Sequence, residues 1–355
     1  MPDARVPPVL VCGAGAWGTA FAIHLARRAP QGVVSLWARD ADQARQMAAL
    51  RVNSRYLPDA PLPPGLHVAA HLGQALQIWR EQTALERLGL LVLACPVSAL
   101  RDLAHEVALF LGVPAAGEGV LWLSKGLVVE GSNGHGFQWP SDLVSSELRG
   151  WPMGALSGPS FAKEVAAGLP VALTLASARA DWAREIAARL FGGGMRIYSS
   201  TDLIGVQLGG AVKNVLAIAA GVADSLSLGA NARAALITRG LAETARLGLS
   251  LGAQPETFLG LATLGDLVLT ATGDLSRNRR VGMGLGQGRP LAEILGELGH
   301  VAEGVQAAPA LLALARHHGV ECPIIEAVCA LLDGRLTPSQ AISGLLSRHP
   351  IDERP

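Results

Sequence analysis

The sequence predicts an α/β fold in which an N-terminal Rossmann-type parallel sheet is followed by an all-α C-terminal domain. Over residues 1–200, short apolar runs alternate with segments of helical spacing, which is typical of a parallel sheet covered by helices. From residue 201 onward strand signals nearly vanish, and long alanine- and leucine-rich segments follow. Because 355 residues exceed one ordinary core, we expect two domains, at 1–200 and 201–355.

Local patterns justify the elements of the first domain in turn. Helical spacing is present at 19–28 and 41–51, and Asp40 is a candidate N-cap of the second of these helices. The proline-rich stretch 53–71 predicts an irregular loop. The apolar runs that predict buried strands are 9–12, 33–37, 90–94 and 120–123, with weaker candidates at 155–156 and 172–175.

The second domain begins with an apolar segment, 204–223, that is nearly long enough to span a bilayer. Gln207, Lys213 and Asn214 lie near its centre, where such groups are unfavourable in a membrane. We therefore expect a helix buried in protein and no stable membrane insertion. Further segments of helical length are 232–249, 255–269, 305–318 and 324–332.

Charge and cysteine usage exclude several functional classes. The formal net charge is +0 and the sequence has no long basic run, so nothing predicts a nucleic-acid partner. The four cysteines form no C-x-x-C pair and no Cys/His cluster with zinc spacing, so we predict no metal site. Reduced, buried thiols are typical of a cytoplasmic protein.

A glycine-rich turn follows the first predicted strand. Gly13, Gly15 and Gly18 have the G-x-G-x-x-G spacing and open a helix. Gly13 permits a tight turn, Gly15 lets the backbone approach a pyrophosphate, and Gly18 lets the helix pack on the strand. The alternative is a plain strand-to-helix turn, but the position directly after an apolar strand favours dinucleotide binding.

Charged residues follow two further predicted strands. Arg39 and Asp40 end the second strand, where an arginine can bind a 2′-phosphate and an acidic residue a ribose hydroxyl, so NAD and NADP both remain open. Lys125 follows the fourth strand, and ligands of open parallel sheets bind at the carboxyl ends of strands. The alternative for all three is a solvated surface charge.

A lysine inside an apolar helix is the strongest candidate for chemistry. Loss of hydration lowers the pKa of a buried lysine toward neutrality, which makes Lys213 a candidate proton donor unless its amine reaches water along the stem. Asp266 interrupts the apolar run 261–269, and a lysine is its natural partner. Segment 276–280 supplies three arginines and two neutral donors, which suits phosphate binding or a solvated basic turn.

Six motifs occur in order across both predicted domains. They are GAGAWGTA from Gly13, SKGL from Ser124, SGPSFA from Ser157, GGAVKN from Gly209, GDL from Gly265 and SRNR from Ser276. Together they resemble the bacterial NAD(P)-dependent glycerol-3-phosphate dehydrogenase family. The resemblance extends from the first strand to about residue 318, while 77–88 and 131–150 are longer than is usual in that family.

The resemblance implies a role for individual residues. Lys213 would donate and accept the proton, with Lys125 and Asp266 as the other catalytic residues. The implied substrate-binding residues are Lys125, Gly158, Ser160, Lys213, Asp266, Ser276, Arg277 and Asn278. The implied cofactor-binding residues are Gly13, Gly15, Ala16, Trp17, Gly18, Arg39, Lys125, Ala162, Arg277, Val301 and Glu303.

The activity that the resemblance implies is reversible NAD(P)H-dependent reduction of dihydroxyacetone phosphate to sn-glycerol 3-phosphate, for phospholipid synthesis, by a cytoplasmic homodimer. A β-hydroxyacid dehydrogenase of the same two-domain plan also uses a lysine on a helix of its second domain. The basic segment 276–280 favours a phosphorylated substrate over that alternative. A non-enzymatic dinucleotide sensor would need the glycine turn but neither Lys213 nor Asp266.

Overall fold

The computed structural model describes residues 5–29, 32–130, 136–298 and 302–346. The strands are β1 (Val9–Cys12), β2 (Val34–Trp37), β3 (Val52–Asn53), β4 (Leu57–Pro61), β5 (His67–Ala69), β6 (Gly89–Leu93), β7 (Glu118–Trp122), β8 (Val128–Glu130), β9 (Gly136–Gln138), β10 (Met153–Ser157), β11 (Val171–Ala176) and β12 (Met195–Ser200). The helices are α1 (Ala16–Ala26), α2 (Ala41–Leu50), α3 (Leu72–Glu86), α4 (Leu100–Leu111), α5 (Pro140–Glu147), α6 (Ala162–Ala167), α7 (Ala180–Leu190), α8 (Leu203–Ser225), α9 (Gly229–Ser250), α10 (Pro255–Phe258), α11 (Asp266–Thr272), α12 (Arg277–Gly286), α13 (Leu291–Leu298), α14 (Glu303–His317), α15 (Pro323–Leu332) and α16 (Pro338–Leu346).

Packing divides the chain into two units. The first comprises Met1–Ser124 and Pro140–Leu203, and the second comprises Lys125–Trp139 and Ile204–Pro355. The predicted fold class is confirmed, because the first unit holds a mostly parallel sheet and the second is mainly helical. The predicted boundary at residue 200 placed residues 125–139 in the first domain, whereas packing groups them with the second unit.

Strands β8 and β9 pair antiparallel and are grouped with the helical unit. Phe137 and Trp139 pack against the apolar core of that unit, and the Phe137 ring lies edge-on to His317 with 6.2 Å between centroids. The second unit is therefore not purely α-helical. Lys125 belongs to it, although its place in the sequence suggested the first domain.

The sheet of the first unit has eight strands in the order β12-β11-β10-β7-β6-β1-β2-β5. Neighbouring strands are parallel except β10 and β11, which are antiparallel. Cys12 pairs with both Trp37 and Leu93, and Leu93 pairs with Trp122, so β1, β2, β6 and β7 end at the same level. The segments that follow these strands lie along one edge of the sheet, where ligands of such sheets bind.

The irregular loop predicted at 53–71 is wrong in part. Residues Leu57–Pro61 form β4, which pairs with β3, and His67–Ala69 form β5, which extends the large sheet beside β2. An edge strand needs ladder hydrogen bonds on one side only, so a short strand directly after a proline-rich stretch is tolerated there. The segment 77–88, longer than usual for the resembled family, lies mostly within α3.

Helix α8 forms the centre of the second unit. In the described stretch 205–223 every residue except Lys213 is buried, which confirms the predicted buried helix. By length and composition α8 is able to cross a membrane, as is the bent pair Pro255–Thr272 and Arg277–Gly286, but 89% of the most apolar window of α8 is buried in the structure. That burial is typical of a core helix surrounded by protein rather than by lipid.

Candidate active site

Two lysines and one carboxylate form an ion cluster inside the second unit. The Nζ of Lys125 donates to Oδ2 of Asp266, and the Nζ of Lys213 donates to Oδ1, each at 2.5 Å. The side chains of Lys125 and Lys213 are 12% and 11% exposed, and that of Asp266 is 2% exposed. With all three ionised the cluster carries one net positive charge, which favours an anionic ligand. The predicted lysine partner of Asp266 is confirmed, and there are two of them.

A π-helix and a glycine bring Asp266 to α8. The π-helix Leu261–Gly265 directly precedes Asp266, and its Thr263 packs against Gly209, one turn before Lys213 on α8. A Cβ on Gly209 would lie 2.1 Å from the Thr263 Oγ1, so only a bare Cα permits this approach. Short π-helical segments recur at functional sites.

Thr270 completes the ion cluster, and sequence reasoning missed it. The Nζ of Lys213 donates to Oγ1 of Thr270 at 3.1 Å, and that hydroxyl donates to the main-chain oxygen of Asp266 at 2.6 Å. Thr270 follows Asp266 by four residues on α11, so both face the same side of the helix. This i,i+4 spacing was the signal available in the sequence.

Burial and charge set the protonation states of the cluster. Burial lowers the pKa of Lys213 to about 8, although the neighbouring Asp266 opposes the shift. Burial acts to raise the pKa of Asp266, but the ammonium groups of Lys125 and Lys213 prevail and hold it below its usual value. At neutral pH the carboxylate is ionised, and Lys213 is mostly protonated with its pKa only about one unit above that pH. An amine in that range can both give and take a proton.

The three arginines of the predicted basic segment differ in their hydrogen bonds within the unit. Arg279 donates to Asp224 at 2.8 Å and to Asp274 at 2.9 Å, and Arg280 donates to the main-chain oxygen of Asp274 at 3.2 Å. Arg277 is exposed and makes no hydrogen bond or ion pair with the described residues. Of the three arginines, Arg277 is therefore the one without a hydrogen-bond partner among the described residues, and it is also the one that the resemblance implies as a ligand of the substrate phosphate.

The two polar neighbours of Arg277 are buried and bonded within the unit. Ser276, which is 4% exposed, is the N-cap of α12, where its Oγ accepts a hydrogen bond from the Arg279 main-chain N–H at 3.2 Å. Asn278, which is 8% exposed, donates from Nδ2 to Oδ1 of Asn214 at 2.8 Å. Its Oδ1 accepts from the Gly304 N–H at 3.0 Å.

Glu303, the first residue of α14, belongs to the same neighbourhood. Its Oε2 accepts from Nδ2 of Asn214 at 3.5 Å. Burial raises the pKa of Glu303, while the cations Arg277 and Lys213 oppose the shift. Val301, the other predicted residue of this motif, lies outside the described residues.

The predicted dinucleotide turn has the required geometry in the first unit. Gly13 has φ +131°, and a Cβ there would lie 2.3 Å from the Ala94 carbonyl oxygen. A Cβ on Gly18 would lie 2.1 Å from the Gly13 oxygen, whereas one on Gly15 would meet no atom of the described residues within 4 Å. Gly15 is the N-cap of α1, which begins at Ala16 and whose first N–H groups have no intrahelical partners. A bare glycine and a helix N-terminus fit a pyrophosphate.

Asp40 and Arg39, which follow β2, have different roles in the structure. Oδ1 of Asp40 accepts from the N–H groups of Asp42 and Gln43 at 2.9 and 3.2 Å, so the predicted N-cap is confirmed. Arg39, which follows β2, is exposed. Trp17, in the first turn of α1, is half-buried with its ring 5.9 Å from that of Phe21.

Gly158, Ser160 and Ala162 connect β10 to α6 in the first unit. Gly158 has φ +135°, and a Cβ there would lie 3.1 Å from the Ala172 oxygen, so the turn requires glycine. The Oγ of Ser160 donates to the Gly158 oxygen at 3.0 Å, and Ala162 is the first residue of α6.

The predicted site residues thus fall into two groups, one in each unit. Within the ranges that the structure describes, no three His, Cys, Asp or Glu side chains are placed to hold a metal ion. The first unit contains Gly13, Gly15, Ala16, Trp17, Gly18, Arg39, Gly158, Ser160 and Ala162, and the second contains Lys125, Lys213, Asp266, Ser276, Arg277, Asn278 and Glu303.

Comparisons with known proteins match both the N-terminal and the C-terminal part of the chain to one family. Residues 8–183 match the model of the NAD-dependent glycerol-3-phosphate dehydrogenase N-terminus, and residues 202–343 match that of its C-terminus. Glycerol-3-phosphate dehydrogenase (NAD(P)+) of Ralstonia nicotianae is 52% identical over 341 residues, covering 96% of this chain and 97% of that protein. The same-named protein of Burkholderia lata is also 52% identical, covering 96% of this chain and 98% of that protein.

A solved structure supports the same assignment. The crystal structure of glycerol-3-phosphate dehydrogenase from Coxiella burnetii has a TM-score of 0.85 and 40% identity, and the match covers 97% of this chain and 99% of that one. These findings confirm the resemblance predicted from the six motifs. The chain belongs to the NAD-dependent glycerol-3-phosphate dehydrogenase family.

Proposed function

We propose that this chain catalyses the reversible reduction of dihydroxyacetone phosphate to sn-glycerol 3-phosphate with NADH or NADPH. The observation that carries the proposal is the buried Lys213, with a pKa lowered to about 8 and its amine held by Asp266 beside Lys125. The relatives named above support the substrate and the cofactors. The glycine turn and α1 N-terminus of the first unit suit the dinucleotide, and the cations of the second unit suit a phosphorylated ketone.

Lys213 supplies the proton that the reaction requires. When bound, the nicotinamide supplies or accepts the hydride. In the reduction, the Lys213 ammonium donates a proton from Nζ to the carbonyl oxygen of the substrate as that oxygen becomes an alkoxide. In the oxidation, the neutral amine takes the hydroxyl proton back. Asp266 and Thr270 hold the Nζ in place for both directions.

The remaining cations bind and orient the substrate. Arg277 is free to form a bidentate pair with the phosphate, which favours arginine over lysine for this task. Lys125 places a second ammonium beside the Lys213 amine through their common carboxylate. Holding the phosphate away from the reacting carbon orients the ketone, and orientation can lower a barrier by roughly 7–11 kcal/mol at best.

A direct assay tests the proposed activity. The protein is mixed with dihydroxyacetone phosphate and either NADH or NADPH, and the nicotinamide absorbance is followed. We expect rapid loss of absorbance with at least one cofactor, and no loss with β-keto acids that lack phosphate. Oxidation restricted to β-hydroxy acids would overturn the proposal. Cofactor binding without turnover would overturn it in favour of a non-enzymatic dinucleotide sensor.

The pH dependence of the two directions should be opposite. Reduction needs the protonated Lys213, so kcat should fall as the pH rises through about 8, and oxidation needs the neutral amine, so its kcat should rise there. Steady-state rates across roughly pH 6 to 10 measure both limbs. Flat profiles in both directions would exclude Lys213 as the titrating acid and base.

Arg277→Ala should weaken substrate binding more than turnover. Removing a charge-assisted bidentate pair is worth about 1.5–3 kcal/mol, so we expect the KM for dihydroxyacetone phosphate to rise roughly 10- to 150-fold. The matched control is Arg280→Ala, an exposed arginine of the same helix whose side chain donates to the Asp274 main chain. An unchanged KM in the Arg277 variant would contradict this assignment.

Arg39→Ala should reduce the use of NADPH more than that of NADH. Arg39 is the exposed cation at the end of β2, while Asp40 is engaged as a helix cap. Loss of one contact to the 2′-phosphate should lower kcat/KM for NADPH about tenfold. Arg45→Ala, an exposed arginine on α2, is the control. An equal loss of kcat/KM with both cofactors would show that Arg39 does not bind the 2′-phosphate.

We also propose a cytoplasmic homodimer whose product supplies phospholipid synthesis. The support is the family membership together with the long apolar helices of the second unit. Sedimentation equilibrium measures the mass of the assembly, and a monomer at micromolar concentration would contradict the dimer.

A further inference from the structure

Three residues of the second unit are linked by hydrogen bonds, and each of them directly follows a charged residue in the sequence. We call this group, Asn214, Asn278 and Gly304, the amide cluster. It joins the first turns of α12 and α14 to the middle of α8. The adjacent pairs are Lys213–Asn214, Arg277–Asn278 and Glu303–Gly304.

A main-chain donor determines how the amide cluster is oriented. The Gly304 N–H can only donate, so the atom of Asn278 that lies 3.0 Å from it is the carbonyl Oδ1. Nδ2 of Asn278 therefore points to Asn214, whose Oδ1 accepts at 2.8 Å. The Asn214 Nδ2 in turn points to the Gly210 oxygen and to Glu303, at 3.4 and 3.5 Å.

Asn278 supplies the cap that α14 lacks. The N-cap residue Ala302 has no side-chain oxygen, although its extended backbone, with φ −99° and ψ 96°, suits a capping residue. The second N–H of the helix, that of the buried Gly304, would otherwise be a donor without a partner. The carboxamide of Asn278 on a different helix accepts that hydrogen bond instead.

The contact between α14 and α8 leaves no spare room. A Cβ on Gly304 would lie 2.6 Å from the Asn214 oxygen and 2.9 Å from Oδ1 of Asn278. The first turn of α14 therefore packs directly against the turn of α8 that carries Lys213. Glu303 in that turn is close enough to Lys213 for each to affect the pKa of the other.

We propose that Asn278 is a positioning residue for the dehydrogenase reaction, fastening the first turn of α14 against the Lys213 turn of α8 and so keeping that lysine out of water. The inference rests on the proposed function. It assigns to Asn278 an indirect role, whereas the family resemblance implies contact with the substrate phosphate. Its acceptor and one of its two N–H donors are already used inside the unit.

The positioning role has a specific consequence for Asn278→Ala. Without the cap, the first turn of α14 loosens and water reaches Lys213, so the pKa of that amine rises from about 8 toward the value of about 10.4 for a solvated lysine. Less neutral amine is then present at neutral pH. A rise of one pKa unit lowers the rate of glycerol 3-phosphate oxidation about tenfold on the acidic limb. Helix α12, which carries Arg277, keeps its own cap from Ser276, so the KM for the phosphorylated substrate should change less than about threefold.

The experiment compares pH profiles of glycerol 3-phosphate oxidation for the wild type and the variants. We expect Asn278→Ala to displace the acidic limb of the oxidation profile by about one pH unit or more to higher pH. We expect Ala302→Ser in that background to move it back, because a serine at the N-cap can accept from the Gly304 N–H itself. Asn231→Ala, an exposed asparagine on α9, is the matched control and should leave the limb and the KM unchanged.

A second measurement needs no turnover. The pH dependence of Lys213 acylation, followed by mass spectrometry of its peptide, reports the same amine without substrate or cofactor. The midpoint should rise in Asn278→Ala and return in the double variant. If the wild type does not reduce dihydroxyacetone phosphate, the proposed function fails, while this labelling still tests the positioning role.

A KM that rises as in Arg277→Ala, with the pH limb and the labelling midpoint unmoved, would overturn the proposal in favour of a phosphate ligand. A lower melting temperature with an unmoved limb would also overturn it, because it would show a purely structural role. Should Asn278→Ala fail to fold, Asn278→Ser replaces it, because the serine hydroxyl is too short to reach the Gly304 N–H. The same pH profile, KM and labelling midpoint are then measured, with the same expected results.

Discussion

Lys213→Ala is expected to lower kcat by about 10²- to 10⁴-fold while NADH still binds. Proton transfer by a positioned side chain is typically worth that factor. The amine of Lys213 is the group whose pKa, about 8, lies in the working range, and it is held at 2.5 Å from Asp266. The dinucleotide turn lies in the other unit, so its geometry does not depend on this side chain. Steady-state rates and fluorescence titration with NADH measure the two quantities separately.

Two further variants make the Lys213 result specific. Lys213→Met keeps the length of the side chain inside the buried helix and removes only the charge, so it should lose turnover equally. Lys163→Ala removes an exposed lysine that pairs with Asp59 at 3.0 Å and should leave kcat unchanged. A fully active Lys213 variant, or one that no longer binds NADH, would contradict the assignment.

Asp266→Ala is expected to destabilise the protein and to lower kcat together. The carboxylate is 2% exposed and is shared by Lys125 and Lys213, so its removal leaves two nearly buried ammonium groups beside each other. Leaving a buried charge without its partner costs about 3–5 kcal/mol of the free energy of unfolding. The pKa of Lys213 should fall further, because desolvation and the charge of Lys125 both lower it and Asp266 no longer opposes them. Fewer molecules then hold the proton needed for reduction.

The destabilisation by Asp266→Ala should depend on pH in a defined direction. In the variant the pKa of Lys213 lies below its wild-type value of about 8, so the amine loses its proton as the pH rises toward 8, one of the two unpaired charges disappears, and the deficit shrinks. Urea unfolding near neutral pH and again at about pH 9.5 measures the difference. Asp59→Ala breaks an exposed ion pair instead and should cost less than about 1 kcal/mol at either pH. An equal loss at both values would show that the charges of the two lysines are not its cause.

Patterns local in the chain were enough to predict most of the fold and the centre of the site. Strands β1, β2, β6 and β7 were predicted within two residues at each end, because continuous apolar runs are typical of strands buried on both faces. The same reasoning identified Lys213, since an ionisable group in an otherwise apolar helix is costly without a function or a partner. Asp266 was predicted for the same reason.

Other parts of the site depend on contacts between distant segments. Arg277, Arg279 and Arg280 look alike in the sequence, and only the positions of Asp224 and Asp274 in space show which arginine stays free. Packing groups residues 125–139 with the second unit, whereas the predicted boundary placed them in the first domain, because strand-like and polar residues in a short segment do not reveal what the segment packs against.

By itself, the sequence determined the two architectures, the glycine turn and the identity of the buried lysine and carboxylate. Each of these features depends on the spacing of residues within a short stretch of the chain. Only the tertiary structure decided that Lys125 and Lys213 share Asp266, that Thr270 holds the amine, and that Asn278 caps α14. These contacts join residues that are 26 or more positions apart or lie on a helix whose facing side is set by its neighbours. Hydrogen bonds of that kind follow from packing, which spacing along the chain does not specify.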